Sequence, residues 1–179
     1  MQRSAPMFSL SDRPSAEEAS PYFFRYIQLV PDGDILHTLR TQHGDIHAML
    51  RGIADDRASA APAPGEWSIK EVIAHVSDTE RLFAFRALWF ARGEQAALPG
   101  MEPDPWVALG NANARSVPDL LAEFDQVRAA SLWLLDNLDA AAWQRQGVAS
   151  SSVLSVRALA WIIAGHELHH NLSLREVYL

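Results

Sequence analysis

An apolar stripe that also carries histidines constrains this chain more than any other stretch. Between Val153 and Tyr178, Leu159, Ile162, Ile163, Leu174 and Val177 recur at spacings that share one helix face. The pattern predicts one long helix with a core-facing side. His166 and His170 fall on the same stripe, one turn apart, in the segment Ala164-Gly165-His166-Glu167-Leu168-His169-His170-Asn171-Leu172. An i, i+4 histidine pair on one face can present two imidazole nitrogens to a single metal ion.

The rest of the chain reads as partners for that helix. Residues 1–20 are polar, with Pro6 and Pro14 and no periodicity, and are expected to form a flexible leader ahead of a domain at 21–179. Pro21 to Val30 is aromatic and fits a short helix laid over an apolar surface. Pro31-Asp32-Gly33-Asp34 is a turn whose last residue can cap a helix from Ile35 to Ile53, with Leu39, Ile46 and Leu50 inward. Ser68 and Glu71 form a capping-box pattern opening a second helix that runs to about Ala91. A long connection, 93–117, holds Pro99-Gly100, Pro103 and Pro105. Ser116 and Pro118 then start a third helix to about Leu138, followed by a loop at 139–152. Four long helices, one long crossover between the second and third, and no convincing strand point to an all-α four-helix bundle.

Composition narrows the chemistry. At 179 residues the chain fits one domain with a sizeable core. No apolar run reaches the roughly 20 residues that span a bilayer, and no basic-then-apolar leader is visible, so a cytoplasmic protein without a membrane partner is expected. A net charge of -7 and a single lysine, Lys70, argue against a broad cationic face for nucleic acid. There is no cysteine, so any metal must be held by His, Asp or Glu.

One pair of histidines leaves at least one further ligand to find. The second helix offers His75, at the flank of its core stripe near Val72, Thr79 and Leu82. Three neutral imidazoles plus water make the open sphere that catalytic zinc uses. A lone helical histidine is also an ordinary core residue, so spacing alone leaves His75 open. His43 and His47 form a second i, i+4 pair, with His43 on an apolar stripe. They are read as a half-buried and a solvent-facing residue, with His43 open as an extra ligand. His169 stands about 60° off the line of His166 and could replace His170 by an i, i+3 geometry.

His166-Glu167-Leu168-His169-His170 matches H-E-x-x-H, the zinc peptidase motif in which Glu is the general base. The context is wrong for it. The downstream glycine and third histidine of the metzincins are Ser173 and Glu176 here, and no strand is available for an extended substrate. On a continuous helix Glu176 lies roughly 15 Å along the axis from His166. Glu167 is instead expected beside the site, and Asp78, Asn111 and Arg115 are further candidates for a polar wall.

Trp67-Ser68-Ile69-Lys70-Glu71-Val72-Ile73-Ala74-His75, continuing through Asp78-Thr79-Glu80-Arg81, resembles the DinB-like (YfiT-like) superfamily, as does Ala164 to His170. The resemblance extends over Tyr22 to Leu179. It implies an up-down-down-up four-helix bundle, often a homodimer, with a divalent metal, commonly zinc or nickel, on three histidines matching His75, His166 and His170. It also implies small-molecule chemistry, since members include transferases and isomerases that use a low-molecular-weight thiol. The expected function is a metal-dependent thiol S-transferase or hydrolase, and the alternative is a non-catalytic metal- or ligand-binding stress-response protein.

Overall fold

Caps and turns set the helix boundaries. In a computed structural model describing residues 9–179, the helices are α1 (Pro21–Ile27), α2 (Ile35–Met49), α3 (Asp55–Ser59), α4 (Ile69–Ala91), α5 (Pro103–Leu109), α6 (Val117–Asp136), α7 (Ala140–Gln144) and α8 (Val156–Ser173). Asp34 accepts the backbone N–H groups of Leu36 and His37 and starts α2. Ser68 and Glu71 close the reciprocal capping box of α4. Ser116 accepts from Asp119 at the head of α6. A π-helical turn, Leu174–Tyr178, follows α8. No helix of the described residues is long and apolar enough to cross a membrane.

Two expectations need correction. No strand was expected, yet β1 (Gln146–Ala149) and β2 (Ser152–Ser155) pair antiparallel, with Val148 opposite Val153. The last helix was expected from Val153, but Ser155 accepts the Ala158 N–H and delays its start to Val156. The hairpin turn places Ser150 and Ser151 at φ 51° and 57°, a region that non-glycine residues seldom adopt. That choice hid the hairpin, because asparagine and glycine are the usual sign of such a turn. Within the segment expected as a leader, residues 9–20 make contacts with the bundle. Arg13 donates to the carbonyls of Ile27 and Val30, and Glu18 is held by Ser155 and Arg157. Residues 1–8 of that leader lie outside the described residues.

The four long helices α2, α4, α6 and α8 form the body, and the fold is mostly helical. Their apolar residues fall into two clusters. One gathers Leu39, Phe83, Leu135 and Ala164 with α1 and the hairpin, and the other gathers Ile46, Val76, Phe124 and Leu174. Buried polar residues lie between the two clusters on each helix, among them Gln42, Glu80, Arg128 and Glu167. These four meet. Arg128 donates to both oxygens of Glu80 at 2.9 and 2.8 Å, to Glu167 at 2.8 Å and to the Leu39 carbonyl at 2.8 Å. The Gln42 amide donates to Glu167 and to the Ala164 carbonyl. Arg128, Glu80 and Glu167 are at most 3 % exposed, so each depends on the others for solvation. Burial alone would lower the Arg128 pKa, but the two carboxylates outweigh it and raise it.

Two close approaches dock the remaining elements. A Cβ on Gly165 would lie 2.0 Å from the Tyr26 carbonyl oxygen, so α1 rests directly on the α8 backbone. A Cβ on Gly147 would lie 2.1 Å from the Phe90 ring, which presses the hairpin onto α4.

Replacing Arg128 with leucine strands two buried carboxylates and is expected to cost about 3–5 kcal/mol of unfolding free energy. Urea denaturation at pH 7 reads this directly. A loss below about 1 kcal/mol would mean that the network contributes no more than an exposed ion pair.

Candidate metal centre

His75 sits on the second turn of α4, where the capping box fixes the start of the helix seven residues earlier. His166 and His170 lie one turn apart on α8. The bundle brings the two helices together at these positions. His166 Nε2 lies 3.2 Å from His75 Nε2 and 3.2 Å from His170 Nε2. His75 and His166 are buried, and His170 is half-buried. Among the described residues no further histidine or carboxylate joins this group.

The donor set fits a metal ion. At zinc–nitrogen lengths of 2.0–2.1 Å, two tetrahedral nitrogen ligands stand roughly 3.3–3.4 Å apart, close to the observed spacings. A proton on His166 Nε2 can point at only one neighbour and leaves the other nitrogen facing a second ring without a hydrogen bond. A cation between the three satisfies all of them. The rings are also in the required protonation state. Burial pushes His75 down to about 4, against the opposing charge of Asp104. Burial, with His75 and His169 nearby, pushes His170 down to about 3, and burial drives His166 well below its ordinary value. All three are neutral at pH 7, as ligation requires.

A family model of the DinB superfamily matches residues 38–174. The chain belongs to the DinB superfamily. Among solved structures it is similar to YfiT from Bacillus subtilis, described as a probable metal-dependent hydrolase with an unusual four-helix bundle topology. That match has a TM-score of 0.70 at 14% identity and covers 93% of this chain and 91% of that one. A second similar structure is the mycothiol-dependent maleylpyruvate isomerase, with a TM-score of 0.66 at 14% identity. It covers 83% of this chain and 62% of that one. At these identities the two structures speak for the fold. A comparison with curated proteins finds no match.

In this DinB-superfamily bundle the trio opens onto a cavity of about 660 Å³. Trp67 stacks near His75 and His170, with ring centroids 4.7 and 6.4 Å away. Its indole N–H donates to Asp104, and its carbonyl accepts the Tyr178 hydroxyl, so it is held from both sides. Tyr26 and Phe83 meet the His166 ring edge-on at 5.3 and 6.1 Å. These apolar rings produce the burial that keeps the imidazoles neutral.

The other sequence candidates lie elsewhere. His169 is exposed, lines the cavity and meets Tyr26, but stays outside the convergent group. His43 packs 6.4 Å from His47, whose Nε2 lies 2.8 Å from an Asp125 oxygen; neither reaches the cavity. Glu167 was expected beside the site, but it turns into the core to meet Arg128 and Gln42. It therefore cannot act as the base of an H-E-x-x-H peptidase. Asp78 pairs with Arg81, Arg115 pairs with Asp119 and Glu123, and Asn111 occupies a left-handed turn, none of them on the cavity wall. The polar wall is instead Arg25, Arg86, Glu102 and the three hydroxyls of Ser150, Ser151 and Ser152. A signal for Arg86 exists in the sequence, since it stands on an apolar line three residues after Phe83 and four before Phe90.

The depressed histidine pKa values set a pH dependence with a definite sign. An unfolded chain binds protons near pH 6.5, while the folded, metal-free site resists them until about 4 at His75 and about 3 at His170. Stability of chelated protein is therefore expected to fall as pH drops from 6.5. Urea midpoints between pH 7 and 5 test this, because carboxylates titrate mainly below that window. His75→Gln should flatten the slope, and an unchanged slope would contradict the assignment.

Proposed function

We propose that this protein is a metal-dependent enzyme acting on a small molecule, of the hydrolase or thiol-dependent S-transferase type. His75, His166 and His170 hold a divalent ion, zinc or nickel, in this reading. The observation that carries it is the convergence of three imidazole nitrogens at a cavity wall, with no fourth protein ligand among the described residues. Three protein ligands and an open position are the pattern of catalytic sites, whereas structural sites are closed. A fourth ligand, with His43 the first suspect, would favour a non-catalytic role, and that ring lies near His47 instead. The names of the two similar structures, one metal-dependent and one thiol-dependent, support the same class.

An ion held there would lower the pKa of a bound water or thiol and supply a nucleophile near neutral pH. Without cysteine in the chain, a thiol nucleophile would come from a cosubstrate. Trp67, Tyr26 and Phe83 exclude water from the rings, and Arg25 holds the Tyr26 hydroxyl at 2.7 Å. The wall hydroxyls and arginines give a polar substrate hydrogen-bond partners on the far side.

The proposal includes an up-down-down-up order of α2, α4, α6 and α8 with a crossover from α4 to α6. Contacts that advance together support α4 alongside α6, from Ser68 with Asn113 to Arg81 with Glu123. Contacts that run in opposite senses support α4 against α8, from Trp67 with Tyr178 to His75 with His166.

Mass spectrometry of untagged protein should find close to one ion per chain, lost in both His75→Ala and His170→Ala. Wild type that takes up neither zinc nor nickel would overturn the reading. A homodimer is also proposed, through apolar surface left exposed at Phe85 and Leu88 on α4 and at Tyr22 and Leu29. Light scattering at micromolar concentration should give twice the chain mass, and a monomer would remove this part.

A further inference from the structure

Two arginines among the described residues are almost completely buried, and their surroundings differ. Arg128, 1 % exposed, faces two carboxylates. Arg86, 2 % exposed, faces none. Its Nη2 donates to the Pro99 carbonyl at 2.8 Å and to Ser150 Oγ at 3.0 Å. Its Nε is buried without a hydrogen-bond partner, and its Nη1 makes no hydrogen bond to the described residues. Burial pulls its pKa down with no acidic neighbour to offset the effect. A buried guanidinium in this condition is costly unless an anion completes it.

Arg86 lines the same cavity as the histidine trio. His75, Thr79, Phe83 and Arg86 follow one another on one face of α4. The Arg86 Cζ stands 5.6 Å from the Phe83 ring, and that ring stands 6.1 Å from the His166 ring, which together cap their separation at about 12 Å. The hairpin turn carries Ser150 in a left-handed conformation, with its hydroxyl against the guanidinium. The exposed Arg25, stacked on Tyr22 and Tyr26, adds a second cation to the wall, and Glu102 is the one acidic residue there.

We propose that Arg86 and Ser150 form a carboxylate-binding subsite, so that the cavity takes small organic acids. The acid group meets the guanidinium and the serine hydroxyl, and Phe83 supports the apolar part between that group and the imidazoles. The two N–H donors of Nη1 and the Ser150 hydroxyl, which still has its own proton to donate, can meet one carboxylate, and the apolar cavity around them suits an organic acid better than a strongly hydrated ion. The subsite stands on the cavity alone. It rests on the enzyme reading only for the claim that the bound acid is a substrate.

The test uses phenylacetate as probe and the neutral phenylacetamide as its control, titrated calorimetrically into the full chain. Both EDTA-treated and zinc-loaded protein are used, so that a failure of the metal site and a failure of the subsite are distinguishable. Phenylacetate should bind the EDTA-treated protein saturably and at least tenfold more tightly than the amide. Arg86→Gln should lose tenfold or more in affinity for the acid while keeping its zinc content, and Ser150→Ala should lose severalfold. If Arg86→Gln fails to fold by circular dichroism, the acid-to-amide ratio in wild type and the Ser150→Ala loss decide. Equal binding of acid and amide, no acid binding at millimolar concentration, or undiminished binding in the variants would overturn the proposal. So would displacement of the probe by inorganic phosphate at concentrations lower than the probe itself requires.

Discussion

The Arg128 guanidinium lies between four helices and receives two carboxylates, one from α4 and one from α8. Glu80 stands five residues beyond His75, and Glu167 is the neighbour of His166. The fork that joins these carboxylates therefore fixes the axial register of α4 against α8. A slip of one turn, about 5.4 Å, would part the carboxylates and carry the histidine nitrogens out of reach of one another. Apolar side chains tolerate sliding far better than a bidentate ion pair does, and the two apolar clusters on either side supply burial without supplying alignment. Gln42 ties α2 into the same point, so all four long helices are indexed at one level.

Around that level the secondary elements divide the remaining work. α1 and Trp67 bring aromatic rings onto the imidazoles, which sets their protonation state through desolvation. The connection from α4 to α6 and the hairpin turn bring Gly100, Met101, Glu102 and the serine hydroxyls to the opposite side. The bundle thus provides the donor nitrogens, and the irregular segments provide the walls. This separation fits a fold shared with structures only 14% identical to this chain.

Much of this was legible in the sequence, and the residues that were not share a physical reason. Helix starts at Asp34, Ser68 and Ser116 could be read because capping is local chemistry. The register that brings His75 to His166 is a property of packing, so spacing could nominate the three histidines but not assemble them. Glu167 was misplaced for a related reason. Its position on α8 is compatible with the site margin, and only partners distant in sequence, Arg128 and Gln42, turn it inward. Arg128 itself follows Val127 on an apolar face, where a charge is a sign of a buried partner that no local pattern can name. The hairpin was missed because serines at positive φ do not announce a turn, and its two short strands carry no clean alternation of apolar and polar residues.

The contact at Gly165 has a wider consequence. Because the α8 backbone meets the backbone carbonyl of Tyr26, α1 is seated by main-chain surfaces and not by the identity of its outward side chains. Tyr22 and Arg25 reach the cavity from that seat, while the donor nitrogens belong to other helices. The mouth of the cavity can thus change residue by residue in a lineage while the imidazole geometry stays constant. The residues at the cavity mouth and the imidazole trio are free to evolve at different rates in this architecture, with glycine at 165 as the fixed point that uncouples them.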